Sequence, residues 1–331
     1  MKKEYDVSIL TFYDFKREYE YYVKRHSFGY GYRKNFLVKT FYLLFWFPLK
    51  LRSFLSKNEY DLVVSNAGDA NLVSLITKKY LKRFTLWTYI RKNIFHKTHP
   101  YYGFRNLHRH ADKRITLTEA LSRKLPFDAV SLPNTIDIEE VKRLKDEPVE
   151  EEEIFEKKTI LMIGRLAPQK NHKWFFDVFK TMDSDVNLLV ICDGPLENEL
   201  KEYAIGIENI YFLGRKNNVY KYLNKCDVFV LPSLFEGMPR VLMEALAVGS
   251  VSVVNDCETG PRELLGVGLD EKVTKVRKTK LGFLVPYNHK KEFKKAITKA
   301  LKQNKIKPDK RYAIKNVAKQ WSKEMKSWYD D

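Results

Sequence analysis

The chain has 331 residues, 44% hydrophobic and 14% aromatic, a length that fits two ordinary domains and a composition that excludes a disordered protein. Its net charge of +18 is concentrated: residues 1–125 carry 25 Lys+Arg against 10 Asp+Glu, and the rest carry 35 against 32. Such local excess points to a phosphorylated substrate or an anionic membrane surface, and no nucleic-acid-binding module accompanies it. Cys192, Cys226 and Cys257 are scattered, without the spacing of a disulfide framework or a zinc site, and read as small core residues in a reducing compartment. There is no apolar run of roughly eighteen or more residues, so no membrane span is expected.

In chain order, YDVSILTF (5–12) reads as a strand, and no signal peptide is expected ahead of it. FLVKTFYLLFWFPLKLRSFL (36–55) is apolar and aromatic but interrupted by Lys39, Pro48 and Lys50. It fits an interfacial segment with its aromatics at headgroup depth, and equally an ordinary buried helix. YDLVVSN (60–66), RFTLWTYI (83–90) and RITLT (114–118) read as strands, with the helix NLVSLITKKYLKR (71–83) after the first of them. His96, His99, His108 and His110 cluster loosely, without a paired carboxylate or cysteine set, so a loop rather than a metal site is expected. AVSLPNTIDIEEVKRL (129–144) closes this series, and the acidic PVEEEEIFEKK (148–158) reads as a linker.

The alternation then restarts. TILMIGR (159–165), NLLVICDG (187–194), IYFLGR (210–215), DVFVLPS (227–233) and SVSVVND (250–256) are short and β-branched, as in parallel strands covered on both faces. Two such series predict an α/β protein with two Rossmann-like, doubly wound domains, 1–150 and 151–331, facing a cleft, the last helix packing back on the first domain.

Ligands in such sheets bind beyond the carboxyl ends of the strands. Arg165 follows the strand TILMIG directly and Lys170 lies in the loop APQKN. Together they can clamp a diphosphate, aided by helix N–H groups. Glu236 lies in the loop after DVFVLPS, beside Gly237, which lets backbone approach a ligand, and ahead of Pro239, which suits a first helical turn. Glu244 falls among the apolar VLMEALAV, where a buried carboxylate needs a cation or hydroxyl groups. A pocket that grips phosphates and accepts hydroxyls suits a nucleotide sugar.

The E-x7-E spacing of Glu236 and Glu244 inside PSLFEGMPRVLMEALAVG closely resembles the hallmark of glycosyltransferase family 4. IGRLAPQKN (163–171), ICDGPLENEL (191–200), FLGRKNNVYKYLNKCDVFVLPS (212–233), VNDCETGPREL (254–264) and LGFLVP (281–286) follow the family order, as do ADKRITLTEALSRKL and LPNTID before them. The resemblance spans roughly residues 60–330. It implies the GT-B fold and a retaining hexosyltransferase of polysaccharide biosynthesis. The donor would be a UDP- or GDP-sugar and the acceptor lipid-linked or a saccharide. The enzyme would be cytoplasmic and peripheral on the cytoplasmic membrane face. It also implies roles. Arg165 and Lys170 would bind the diphosphate and stabilise the leaving nucleotide, with Gly164 in the same loop. Glu236 would contact donor hydroxyls beside Gly237, Met238 and Pro239. Glu244 would hold the ribose, and Arg215 would lie near the base. Arg91 and Asn93 fall where relatives line the cleft. No metal or cofactor is implied. The family's first strand, Gly-rich loop and long helix have no counterpart, because YDVSILTFYDFKREYEYY resembles the second strand and its successor. The N-terminal domain is therefore expected to be incomplete, and a catalytically silent nucleotide-sugar-binding subunit stands as the alternative reading.

Overall fold

The computed structural model describes residues 6–13, 24–30, 36–66, 68–81, 84–91, 102–182, 185–257 and 259–330. It divides into two compact units, Met1–Leu132 with Ser322–Asp331, and Pro133–Trp321. Asn93, His96 and His99 lie outside the described residues.

In the first unit, β1 (Ser8–Tyr13) and β2 (Lys24–Tyr30) form a parallel pair. A separate parallel sheet holds β3 (Leu62–Asn66), β4 (Thr85–Ile90), β5 (Lys113–Thr116) and β6 (Val130–Ser131) in that order. The single sheet expected of a doubly wound domain is thus split in two. Residues 36–57 are helical throughout, because a π-helical turn, Tyr42–Trp46, precedes Pro48. Phe47 N–H donates back to Tyr42 O across that wide turn, which makes room for a ring that would clash inside a regular α-helix. Its inner face buries Leu43, Phe47 and Leu51 against Leu72 and Val73, with Phe12 and Phe28 packed alongside. The outer face leaves Phe45 and Leu49 59% and 62% exposed. The inner face is that of an ordinary buried helix.

His108 is buried within the 3-10 helix Tyr102–His110, not in a loop. Its Nδ1 lies 3.2 Å from Thr88 Oγ1 and its ring stacks on Phe127. Within the same unit, Trp328 meets Trp87 edge-on at 6.1 Å and Lys113 bonds Glu324.

The second unit is a seven-stranded sheet in the order β12–β13–β11–β10–β7–β8–β9. Its strands are β7 (Lys158–Ile163), β8 (Val186–Ile191), β9 (Ile210–Gly214), β10 (Val228–Leu231), β11 (Val251–Asn255), β12 (Arg277–Lys278) and β13 (Gly282–Val285). All pairings are parallel except β12 with β13. Ile160, Met162, Val228, Val230, Phe175, Phe176 and Phe293 lie in a core closed by helices. The first strand of the series, β7, is central, and chain order reverses between it and β10, which is where such sheets bind ligands.

Residues 133–150, assigned by sequence to the first domain, pack with the second unit. Ile136 bridges Ala313, Asn218 Nδ2 donates to Leu144 O at 2.8 Å, and Lys221 Nζ donates to Pro148 O at 2.9 Å. The acidic segment after them is no free linker. Val149 and Ile154 are buried, and Lys216 holds Glu150 at 2.6 Å and Glu151 at 2.7 Å. Lys216 and Lys221 bring the Glu150 carboxyl down to about 2. The physical reason is charge complementarity: Lys216, Lys221 and Lys225 meet Glu150, Glu151 and Glu152.

Among the described residues, each unit buries one histidine. Burial, then the neighbouring Arg114 charge, lowers His108 to about 4; burial, then Lys170, lowers His172 to about 4. The unfolded chain takes up these protons near pH 6.5, so their contribution to stability is complete above pH 6.5 and is lost as pH falls toward 4. Each histidine should remove about 3 kcal/mol over that window. Urea unfolding of His172→Gln at pH 7 and pH 4 should show roughly that much less acid loss than the unsubstituted chain; an identical loss would refute the assignment.

Candidate functional site

The loops after β7 and β10 carry the site. Hydrogen bonds join them: Leu234 N–H donates to Gln169 O at 2.9 Å, Gln169 Nε2 to Phe235 O at 2.7 Å, and Asn171 Nδ2 to Pro232 O at 3.3 Å. Lys170 closes the 3-10 turn Pro168–Lys170, and Asn171, in left-handed backbone at φ 62°, starts the helix His172–Phe179. Lys170 Nζ reaches Glu236 Oε1 at 2.7 Å, the side chains being only 16% and 8% exposed. Gly164 makes room for this lysine, since a Cβ there would lie 3.0 Å from Lys170 Cε.

The other wall holds the Glu236 loop in place. Thr259 Oγ1 donates to the carbonyls of Glu236 and Gly237, and Gly260 N–H donates to Gly237 O at 2.8 Å. With those two carbonyls turned toward Thr259, the trans peptide planes turn the N–H groups of Gly237 and Met238 the opposite way. Neither N–H donates to a group among the described residues. They are two fixed donors beside the Lys170–Glu236 pair. Thr259 itself has φ 76°, a backbone that a β-branched residue rarely takes and that its two hydrogen bonds hold. Asn255 supports the same wall, with Nδ2 donating to Ser233 O at 3.1 Å.

Pro239 caps the helix Arg240–Val248, and Glu244 lies in its second turn. Burial raises the Glu244 carboxyl above the usual carboxylate range, opposed by Arg240 one turn earlier. Its charge also acts, after burial, to push Tyr220 up to about 12. Among the described residues no group donates a hydrogen bond to Glu244.

Arg165 is exposed at the end of β7, with no side-chain partner among the described residues. Arg215 is exposed after β9, with β8 between it and β7, and so stands about 10 Å across the sheet from β7. The structure thus brings Lys170, Glu236, Gly164, Gly237 and Met238 together and sets Arg215 apart. Sequence reasoning missed Thr259, Gly260, Gln169 and Asn255 as the residues that fix the loops; the segment VNDCETG, already noticed, was the signal for three of them. Arg91 is exposed after β4.

Residues 157–303 match the family described as Glycosyl transferases group 1. An uncharacterized glycosyltransferase of Methanocaldococcus jannaschii is 30% identical over 236 residues, 62% of this chain and 58% of that protein. The N-acetylgalactosamine-N,N'-diacetylbacillosaminyl-diphospho-undecaprenol 4-alpha-N-acetylgalactosaminyltransferase of Campylobacter jejuni is 33% identical over 194 residues, 57% of this chain and 47% of that protein. The chain spans about half the length of these curated relatives. The crystal structure of HepE from Anabaena in complex with UDP and glucose superposes with a TM-score of 0.71 at 17% identity, over 92% of this chain and 86% of that one. The fold is therefore the α/β fold of GT-B glycosyltransferases.

Proposed function

We propose that this chain moves a hexose from a nucleotide-diphosphate sugar, with a UDP-sugar favoured over a GDP-sugar, to a lipid-linked acceptor with retention of configuration. The observation that carries this reading is the pairing of Lys170 with Glu236 beside two backbone N–H donors without a partner among the described residues, eight residues before a half-buried Glu244 to which no described group donates. Lys170 occupies Oε1 of Glu236 and leaves Oε2 to accept a donor-sugar hydroxyl. Lys170, exposed Arg165 and the N–H groups of Gly237 and Met238 meet the diphosphate. Glu244 accepts the ribose hydroxyls, which supply the donors its burial calls for. In the transfer, the bond from the sugar C1 to the diphosphate oxygen breaks with its electrons on the phosphate. The acceptor oxygen bonds C1 from the same face, and its proton passes to the leaving phosphate. Charge growing on that phosphate is neutralised by Arg165 and Lys170. The UDP and glucose named for the Anabaena structure support the uridine donor, and the diphospho-undecaprenol substrate named for the Campylobacter enzyme supports a lipid-linked acceptor. A nucleotide-release assay with a donor panel tests the reading: release should require an acceptor. Release without an acceptor would indicate hydrolysis, and none under any condition would favour the catalytically silent subunit.

A lipid-linked acceptor calls for a membrane face, and the outer face of residues 36–57 is the one we propose. No helix among the described residues is long and apolar enough to cross a membrane. The outer face of residues 36–57 presents Phe41, Phe45 and Leu49, and a cavity of about 570 Å³ beside it is lined by Leu44, Ile76 and Phe104 with Lys79 and Arg109. Apolar insertion resists salt, whereas attraction of about 1 kcal/mol per basic residue is screened beyond roughly 8–10 Å. Sedimentation with anionic vesicles should be strong at low salt and only partly reversed at high salt. Phe45→Ser with Leu49→Ser should abolish the salt-resistant part without unfolding; Phe47 is fully buried and unsuited to this test. A chain that stays in solution with anionic vesicles at low salt would remove the membrane assignment.

A further inference from the structure

We propose that Arg262, through its pair with Asp256, is a positioning residue of the donor site: the pair closes the loop that fixes Glu236, Gly237 and Met238, and so governs binding of the sugar-diphosphate end of the donor. What that loop binds rests on the proposed function; the geometry of the pair does not. Arg262 Nε donates to Asp256 Oδ1 at 3.1 Å and Nη2 to Oδ2 at 2.6 Å, a two-pronged pair whose side chains are 16% and 12% exposed. Its Nη1 donates to the carbonyls of Gly268, Leu269 and Glu271. One guanidinium thus ties together the end of β11, the short helix Gly260–Leu264 and residues 268–271. Asp256 follows β11 directly, and its N–H donates to Val285 O of β13 at 2.8 Å. The Asp256 side of the pair is therefore fixed to the sheet.

Between the two partners lie Thr259 and Gly260, which bond the Glu236 and Gly237 carbonyls. Those bonds set the direction of the Gly237 and Met238 N–H groups. Thr259 stands at φ 76° and ψ −115°, a backbone that a β-branched residue leaves unless its surroundings hold it. Its own hydrogen bonds hold the tip of the loop, and the Asp256–Arg262 pair holds the neck. With the neck released, Thr259 relaxes toward ordinary φ and the carbonyls bonded to it lose their donors. Lysine cannot take the place of Arg262, because a single ammonium does not span both carboxylate oxygens and a row of carbonyls as a planar five-donor fork does.

The experiment uses the full chain and two mild substitutions. Arg262→Lys keeps the charge and loses the fork; Asp256→Asn keeps the shape and loses the charge. In both, the Gly260 amide, which donates to Gly237 O, should exchange at least about tenfold faster, while amides of the core strand Val228–Leu231 keep their protection. Calorimetry should show affinity for UDP-glucose weakened about tenfold, while ligand-observed NMR shows uridine, which carries only the ribose and base, bound within about twofold. Thr259→Val removes the hydroxyl at the tip and should also weaken UDP-glucose about tenfold. Added to it, Arg262→Lys should cost less than about threefold more, because residues that act through one loop are not additive. The proposal fails if Gly260 exchange is unchanged in both variants, or if uridine weakens as much as UDP-glucose, as a general loss of structure would cause. It also fails if the two substitutions multiply to about a hundredfold, since Arg262 would then act elsewhere. An unsubstituted chain that binds no UDP-glucose removes the proposed function, whereas unchanged Gly260 exchange removes the role of Arg262 with donor binding intact.

Discussion

Lys170→Ala should lower sugar transfer by about a hundredfold or more, because it removes a fixed positive charge from the place where the leaving diphosphate gathers negative charge. The same substitution strands Glu236, whose carboxylate is almost enclosed and held at 2.7 Å by this lysine. Removing one partner of a buried pair destabilises by about 3–5 kcal/mol, so loss of activity alone would be ambiguous. Two controls separate the effects. Lys170→Ala with Glu236→Gln removes the stranded charge and should recover most of the stability with no recovery of turnover. Lys170→Arg keeps a charge and should retain more activity than alanine. If Lys170→Ala transferred sugar within threefold of the unsubstituted chain, the clamp would be misassigned.

Gly260→Ala should be nearly as damaging, although residue 260 bears no chemistry. A Cβ there would lie 2.2 Å from Gly237 O and 2.8 Å from Met238 Cα. These are backbone atoms, which cannot swing aside as a flexible side chain would. The Glu236–Met238 loop must shift, and with it the two N–H donors and the carboxylate aimed by Thr259 and Lys170. Overpacking of this kind costs about 1–3 kcal/mol, which corresponds to a roughly fivefold to 150-fold loss of donor affinity when it falls on the binding loop. Gly266→Ala is the matched control, since nothing lies within 4 Å of a Cβ there but φ is +70°; it should lower stability modestly and leave donor affinity alone. Equal donor affinity for Gly260→Ala and the unsubstituted chain would show that this loop does not bind the donor.

The contrast between those two glycines also shows what was legible from the chain alone. The strands of the second unit could be read because β-branched runs such as DVFVLPS and SVSVVND are buried on both faces, and period and composition agree there. Glu236 and Glu244 could be read because a carboxylate in an apolar helix and another beside Gly-Met-Pro are unusual. Gly260 and Thr259 could not be assigned a task, because their importance lies in a contact with residues 22 or more positions away, and spacing carries no information about that distance. The packing of residues 133–150 with the second unit was hidden for a related reason. An acidic run without periodicity looks like a linker until Lys216, Lys221 and Lys225, far along the chain, are found against it. Pro48 marked an interruption in the sequence, yet a π-turn one residue before Phe47 carries the helix through it. The split of the first unit into two sheets was not legible at all, since each strand signal is local and pairing is not.

The central claim is that one nucleotide sugar binds at the Lys170–Glu236 pair with its ribose held by Glu244, and calorimetric titration of UDP into the unsubstituted chain and into Glu244→Ala tests it most directly. Loss of a charged hydrogen bond to a hydroxyl is worth about 1.5–3 kcal/mol, so the account predicts one UDP per chain and a Kd weakened by roughly tenfold or more in Glu244→Ala with an unchanged unfolding midpoint. Binding of UDP that is the same within twofold in both proteins, or no binding of UDP or GDP to either, would contradict it.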